Sequence, residues 1–171
     1  MVSVVRFDRQ QNTSGTTYNH HVQTVFTSWT NLTTFTTTQA YQNLTGGVLS
    51  ITPLYTGSKF HIIANVQCYT TTSSGLNIGI NRTLSGTTTR LVGVDGSSGD
   101  TWLGGADGAA PYNSNSMTIS RFWLDSPGVT AGTPITYQVL GGMWPGTSGT
   151  AYFGYSGYAI SSTLTIWEIQ A

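Results

Sequence analysis

Ser161-Ser-Thr-Leu-Thr-Ile-Trp-Glu-Ile-Gln-Ala171 is the stretch whose reading decides the fold class. Leu164, Ile166 and Glu168 alternate with Thr163, Thr165, Trp167 and Ile169, the two-residue period of a β-strand. Both sets carry large apolar side chains, so both faces of the strand need cover, which predicts a central strand rather than an edge. Leu164 and Ile166 are assigned to the domain's own core. Trp167 and Ile169 then need a second sheet or a neighbouring subunit.

Working back from that strand, no stretch keeps a helical period over three turns. Short alternating runs rich in Thr, Val, Ile and Tyr recur between clusters of Gly, Pro, Asn and Ser, which predicts an all-β chain. Strands are expected at Thr34–Leu44, Val48–Leu54, Lys59–Tyr69, Leu76–Arg82, Thr87–Val94, Met117–Leu124, Pro134–Met143 and Thr150–Tyr155, before the closing strand. Leu84-Ser-Gly86 reads as a hairpin turn between two of them. Val2–Phe7 reads as a first strand or an arm, and Gln10–Thr30, with His20-His21 followed by Val22, Val25, Phe26 and Trp29, as a meandering extended segment. About ten strands at this spacing predict a two-sheet jelly-roll sandwich over 34–171, preceded by an extended N-terminal arm over 1–33.

The 171 residues make one domain. Charged side chains are 7% of them, against roughly 25% in ordinary soluble domains, and six basic residues cancel six acidic ones. Scattered as they are, Arg6, Arg9, Lys59, Arg82, Arg90 and Arg121 form no cluster of the kind that displaces counterions from a phosphate backbone, which argues against nucleic acid as a partner. The single cysteine, Cys68, lies in the apolar run from Phe60 to Tyr69 and reads as a small core residue. The N-terminal residues carry no long apolar segment, so neither a signal peptide nor membrane insertion is expected.

Five short motifs stand in order: Leu49-Ser-Ile-Thr-Pro53, Ser58-Lys-Phe-His-Ile-Ile-Ala-Asn65, Phe122-Trp-Leu-Asp-Ser-Pro127, Thr133-Pro-Ile-Thr-Tyr-Gln-Val139 and Ser162-Thr-Leu-Thr-Ile-Trp-Glu-Ile169. In this register they resemble a virion module of tailed phages, particularly marine and cyanobacterial ones, over roughly residues 34–171. That module is in turn similar to the trimeric jelly rolls of the C1q and tumour-necrosis-factor type. The resemblance implies a homotrimeric, non-enzymatic knob on the virion surface, made in the host cytoplasm, as a capsid decoration, a head fibre or a tail-fibre tip. Many such modules follow a long shaft, whereas here about thirty residues precede the module, with no collagen-like or coiled-coil repeat. An arm of that length is expected to dock on other virion proteins.

Few residues are available for chemistry. Paired carboxylates are the minimum for glycoside hydrolysis, and the six acids are Asp8, Asp95, Asp100, Asp107, Asp125 and Glu168. Asp125 reads as a turn residue beside Ser-Pro-Gly128, and Glu168 as a paired or interface carboxylate. Asp95, Asp100 and Asp107 lie in the long irregular loop 95–116, where they read as turn residues, and their spacing matches no standard Ca²⁺ loop. His20 and His21 point to opposite sides of an extended segment and cannot readily share one ion. No nucleophile elbow, phosphate loop or Cys-x-x-Cys pair is present, so no enzyme activity, metal or cofactor is expected.

Aromatic residues offer more. Trp102 and Tyr112 lie in the same long loop and Trp144 in another, each among Asn, Ser, Asp or Gly. Rings with an apolar face beside polar groups suit sugars, which makes Asp95, Asp100, Trp102, Asp107, Tyr112 and Trp144 the candidate ligand loop, with host cell-surface polysaccharide as its ligand. Anchoring of the loops is the alternative role for these rings. Val4, Phe7, Trp29, Trp167 and Ile169 are the candidate assembly contacts. The alternative function is a lectin-like receptor-binding protein of the tail.

Overall fold

The computed structural model describes residues 3–6, 21–36, 41–71, 76–91, 117–143, 149–154 and 161–170. Its strands are β1 (Ser3–Arg6), β2 (His21–Trp29), β3 (Thr33–Phe35), β4 (Gln42–Ile51), β5 (Lys59–Thr70), β6 (Leu76–Leu84), β7 (Thr87–Arg90), β8 (Met117–Asp125), β9 (Ile135–Met143), β10 (Ala151–Phe153) and β11 (Ser162–Ile169). They form a seven-stranded and a four-stranded sheet in which every pairing is antiparallel. The chain is an all-β sandwich.

The strand order is that of a jelly roll. In the larger sheet β2, β11, β5 and β8 lie side by side, and the smaller sheet runs β4, β9, β6, β7. Taken in chain order, eight strands (β2, β4, β5, β6, β7, β8, β9, β11) change sheet at every step except the β6–β7 hairpin, which gives the two interlocked Greek keys. That hairpin turns through Ser85 and Gly86, both at positive φ (48° and 81°). Positive φ at both central positions is the type I′ turn whose twist matches the flanking strands. β1 extends the large sheet beyond β2, and β10 and β3 continue it beside the far half of β5.

The core lies between the sheets because each strand turns one alternate set of side chains inward. β5 contributes Phe60, Ile62, Ala64, Val66 and Cys68, β11 Leu164 and Ile166, and the four-stranded sheet Leu49, Ile51, Ile78, Ile80, Ile135, Tyr137 and Val139, all buried. Cys68 is a core residue, and burial pushes its thiol pKa up to about 12.

Two differences from the expected strands have clear causes. Gln10–Thr30, expected to meander, contains the nine-residue strand β2, which lies between β1 and β11. Its inward set, Gln23, Val25, Thr27 and Trp29, is half polar, which hides the alternation. Gln23 is nonetheless buried, donating to Thr52 O (2.8 Å) and to the Glu168 carboxylate. The second is β4, one strand with a bulge rather than two: register jumps between Asn43 opposite Leu140 and Val48 opposite Gln138. Gln138 Nε2 donates to the freed carbonyls of Leu44 (3.0 Å) and Gly47 (3.1 Å). Trp29 packs on this bulge so closely that a Cβ at Gly46 would stand 2.8 Å from its own Cβ, hence glycine there.

One end of the sandwich is closed by polar groups. Glu168 is fully buried and accepts from Leu54 N, Tyr55 N, Ser58 Oγ and Gln23 Nε2, so it fastens the β4–β5 turn to the large sheet. Gly57 N to Val129 O and Gly132 N to Pro53 O, both 2.9 Å, join that turn to the β8–β9 connection. Asp125 departs from the expected turn role. It is buried between the sheets, accepting from Arg82 Nη1 and from the Tyr137 hydroxyl, each at 2.7 Å.

Candidate functional site

Strand alternation decides which residues form the outer face of the large sheet. With Ile62, Leu164 and Ile166 inward, the opposite set of β11 (Thr163, Thr165, Trp167, Ile169) faces away from the second sheet. Registers then place side chains in cross-strand rows. Leu124, His61, Trp167 and Thr24 form one row, Phe122, Ile63, Thr165 and Phe26 the next, and Ser120, Asn65, Thr163 and Ser28 a third. Lys59, Ile169 and His21 stand at the closed end.

The first two rows are apolar and open. Phe122 is 56% exposed, Leu124 51% and Trp167 38%, with Ile63 and Phe26 half-buried between them. Trp167 lies between two imidazoles, its ring centre 5.7 Å from that of His21 and 6.2 Å from that of His61. The third row is polar but self-satisfied: Ser120 Oγ donates to Asn65 Oδ1 (2.7 Å) and Asn65 Nδ2 to Thr163 Oγ1 (3.2 Å).

Among the described residues charge is nearly absent from this face. The charged residues of β2, β5, β8 and β11 are Lys59, Arg121, Asp125 and Glu168, and the last three belong to the inward set. Lys59 remains, at the end of the patch. A sheet face with several large apolar side chains and so little charge differs from ordinary surface, where single apolar residues are scattered. The outer face of the four-stranded sheet is of another kind. There Ser50 bonds Thr136 (2.8 Å), Thr83 bonds Thr88 (2.9 Å), and the Arg90 guanidinium lies 3.6 Å over the Tyr41 ring.

No protein-family model matches this sequence, and no curated protein matches it. Among solved structures, those of infectious bursal disease virus are similar in fold. The Gx strain structure has 10% identity and a TM-score of 0.41, covering 85% of this chain and 39% of that one. The Gt strain structure has 13% identity and a TM-score of 0.39, covering 85% and 38%. The VP2 subviral particle has 12% identity and a TM-score of 0.40, covering 86% and 38%. The chain therefore spans less than two fifths of the length of these viral chains.

The expected site residues fall in three groups. Asp95, Asp100, Trp102, Asp107, Tyr112 and Trp144, with Phe7, lie outside the described residues. Of the described residues that flank them, Met117, paired with Cys68, and Met143, paired with Leu76, stand at the ends of their sheets away from Glu168, whereas Leu91 N bonds Ile80 O at the middle of β6. Trp29 is buried inside the chain against the β4 bulge, while Val4 stands in β1 opposite Val25. Trp167 and Ile169 lie on the outer face, which excludes the second sheet as the cover for Trp167.

Phe122, Leu124, Ile63, Phe26 and His61 join that face without having been singled out from the sequence. The unbroken apolar run Phe122-Trp-Leu124 was the available signal, since it leaves neither side of a strand polar. Among the described residues no three His, Cys, Asp or Glu side chains are grouped as metal ligands would be. Asp125 and Glu168, the two described acids, are buried and enclosed by donors of the fold itself.

Proposed function

We propose that this chain is a non-enzymatic structural protein of a tailed-phage particle, a homotrimeric jelly-roll knob on the virion surface. The observation that carries the reading is the outer face of the large sheet: Phe122, Leu124 and Trp167 stand open on a face whose described residues carry almost no charge. Covering such side chains is worth about 1.5–3 kcal/mol each, and the occupant that fits is a second copy of the chain. Charged residues are only 7% of the whole chain, so whichever face of the neighbouring copy lies on this patch strands little charge, and closed three-fold symmetry ends the growth. The five motifs shared with phage virion modules support the particle context and the three-fold order. The N-terminal strand lies at the margin of the same sheet, where it can reach other virion proteins.

Light scattering of the purified protein at micromolar concentration tests this. A mass of three chains is expected, and a monomer at all concentrations overturns it. Labelling intact particles with an antibody then distinguishes capsid from tail.

We propose as a second role a lectin-like site for host polysaccharide, since Trp102, Tyr112 and Trp144 are aromatic residues set among Asn, Ser, Asp and Gly in the sequence. Trp102→Ala is expected to reduce adsorption to host cells without changing the mass of the assembly.

A further inference from the structure

His61 occupies the middle of the apolar patch. In register it stands between Leu124 of β8, 51% exposed, and Trp167 of β11, 38% exposed, with its ring 6.2 Å from the indole. It is itself half-buried, so a second copy that covers Leu124 and Trp167 covers the imidazole as well. The groups facing it from the surrounding strands supply no negative charge. β8 offers Phe122 and Leu124, β11 Thr165, Trp167 and Ile169, and β5 Ile63 and the cationic Lys59. β2 offers Thr24, Phe26 and the second imidazole, His21, while β1 meets the patch only across β2. The nearby acids Glu168 and Asp125 point into the sandwich and are already held there.

We propose that acid opens the subunit contact, with His61 as the group that senses it. This rests on the reading of the patch as the face between copies. A neutral imidazole can be covered by an apolar partner at small cost, whereas an imidazolium enclosed between Leu124, Trp167 and the neighbouring chain loses water with no carboxylate among the described residues of the patch to replace it. The assembly therefore binds fewer protons at this ring than the separated chains do. By linkage, association is strongest at neutral and higher pH and weakens as the pH falls, by up to about tenfold per histidine for each pH unit. Three-fold symmetry repeats the charge and sharpens the response. His21 adds a second imidazole on the other side of Trp167, closer to the edge and to Lys59.

The test is the concentration dependence of mass at pH 8.0 and pH 5.5 for the wild type, His61→Gln and His21→Gln, with circular dichroism at each pH to follow the fold. Expected is an assembly at pH 8.0 that dissociates at least tenfold more readily at pH 5.5 with the sandwich intact, and a His61→Gln protein equally associated at both. A wild type that is equally associated at both pH values overturns the proposal while leaving the assembly reading in place. So does a response retained in His61→Gln, in particular one that His21→Gln abolishes. A monomer at pH 8.0 overturns the assembly reading itself.

Discussion

Leu54 and Glu168, 114 positions apart, are joined by hydrogen bonds from one backbone amide to both carboxylate oxygens, 2.9 Å to Oε1 and 3.1 Å to Oε2. Ser58 Oγ (2.6 Å), Tyr55 N and Gln23 Nε2 complete the set, so a fully buried anion is held by donors alone. Glu168→Gln keeps the shape but turns an amide NH₂ toward groups that themselves donate. With hydrogen bonds to a buried charge worth about 1.5–3 kcal/mol each, a loss of about 3 kcal/mol is expected in urea unfolding. A change under about 0.5 kcal/mol, the scale of an ordinary surface substitution, would show that the turn is held by its other contacts.

The Arg82–Asp125–Tyr137 group makes a different prediction, because here a cation is present. Asp125 and the Arg82 side chain are 6% and 19% exposed, and burial, followed by the Asp125 charge, holds the Tyr137 hydroxyl well above the usual tyrosine range. Asp125→Asn strands the guanidinium and is expected to cost about 3 kcal/mol, whereas Tyr137→Phe removes one neutral donor and costs about 1 kcal/mol. The double variant Arg82→Met with Asp125→Asn should be more stable than Asp125→Asn alone, since no unpaired charge then remains at this position. If the double variant is the less stable, the pair acts through packing rather than charge.

Much of the sandwich was legible in the sequence because its central strands alternate openly. Lys59–Tyr69 and Ser162–Ile169 turn an apolar set inward and keep that period from end to end. β2 was not legible, since Gln23 and Thr27 sit in its core-facing set, and Gln23 makes sense only beside Glu168, 145 positions later. Of the outer face, Trp167 and Ile169 could be read from alternation alone. The run Phe122-Trp-Leu124 signals a strand with no polar side, but its place beside His61 and Trp167 could not be read, because which strand lies beside which is a property of the jelly-roll order and no local pattern encodes it. Trp29 shows the converse: an aromatic residue that reads as available for assembly is enclosed by Gly46 and Gly47, whose lack of side chains makes room for it.

Cys68, the only cysteine, gives a prediction with a clean count. Its pKa is pushed up to about 12 by burial, and it sits on the inward side of β5 with no exposed surface. The thiolate is the reactive form, so a disulfide reagent at pH 8 should find almost none in the folded protein and one thiol per chain after denaturation. The raised pKa also gives the sign with pH. Folding holds the thiol protonated, so the stability it contributes relative to an ionised thiol is present below the ordinary thiol pKa, where both states are neutral. Above that value the unfolded chain ionises first and stability falls, up to a pH near 12. Fast labelling of native protein at pH 8 would mean that β5 opens readily beside β8.

Two tryptophans separate folding from assembly. Trp29 is 5% exposed and packs against the β4 bulge, so Trp29→Ala should cost about 3–5 kcal/mol and abolish the fold or nearly so. Trp167 is 38% exposed on the face that the second copy is proposed to cover, between His21 and His61. In the isolated chain Trp167→Ser gives up contact with two imidazoles and part of one strand face, which should lower stability by about 1 kcal/mol at most. In the assembly the same change removes an aromatic ring from the centre of each contact, where truncation commonly costs 2 kcal/mol or more, or about thirtyfold in each contact's association constant. The expected protein is therefore folded by circular dichroism, with a urea midpoint close to that of a dissociated wild type, yet monomeric under conditions in which the proposed wild-type trimer forms. Phe122→Ser on the neighbouring row should act in the same direction. Should both variants stay trimeric, the copies meet on another surface, and neither Trp167 nor His61 takes part in holding them together.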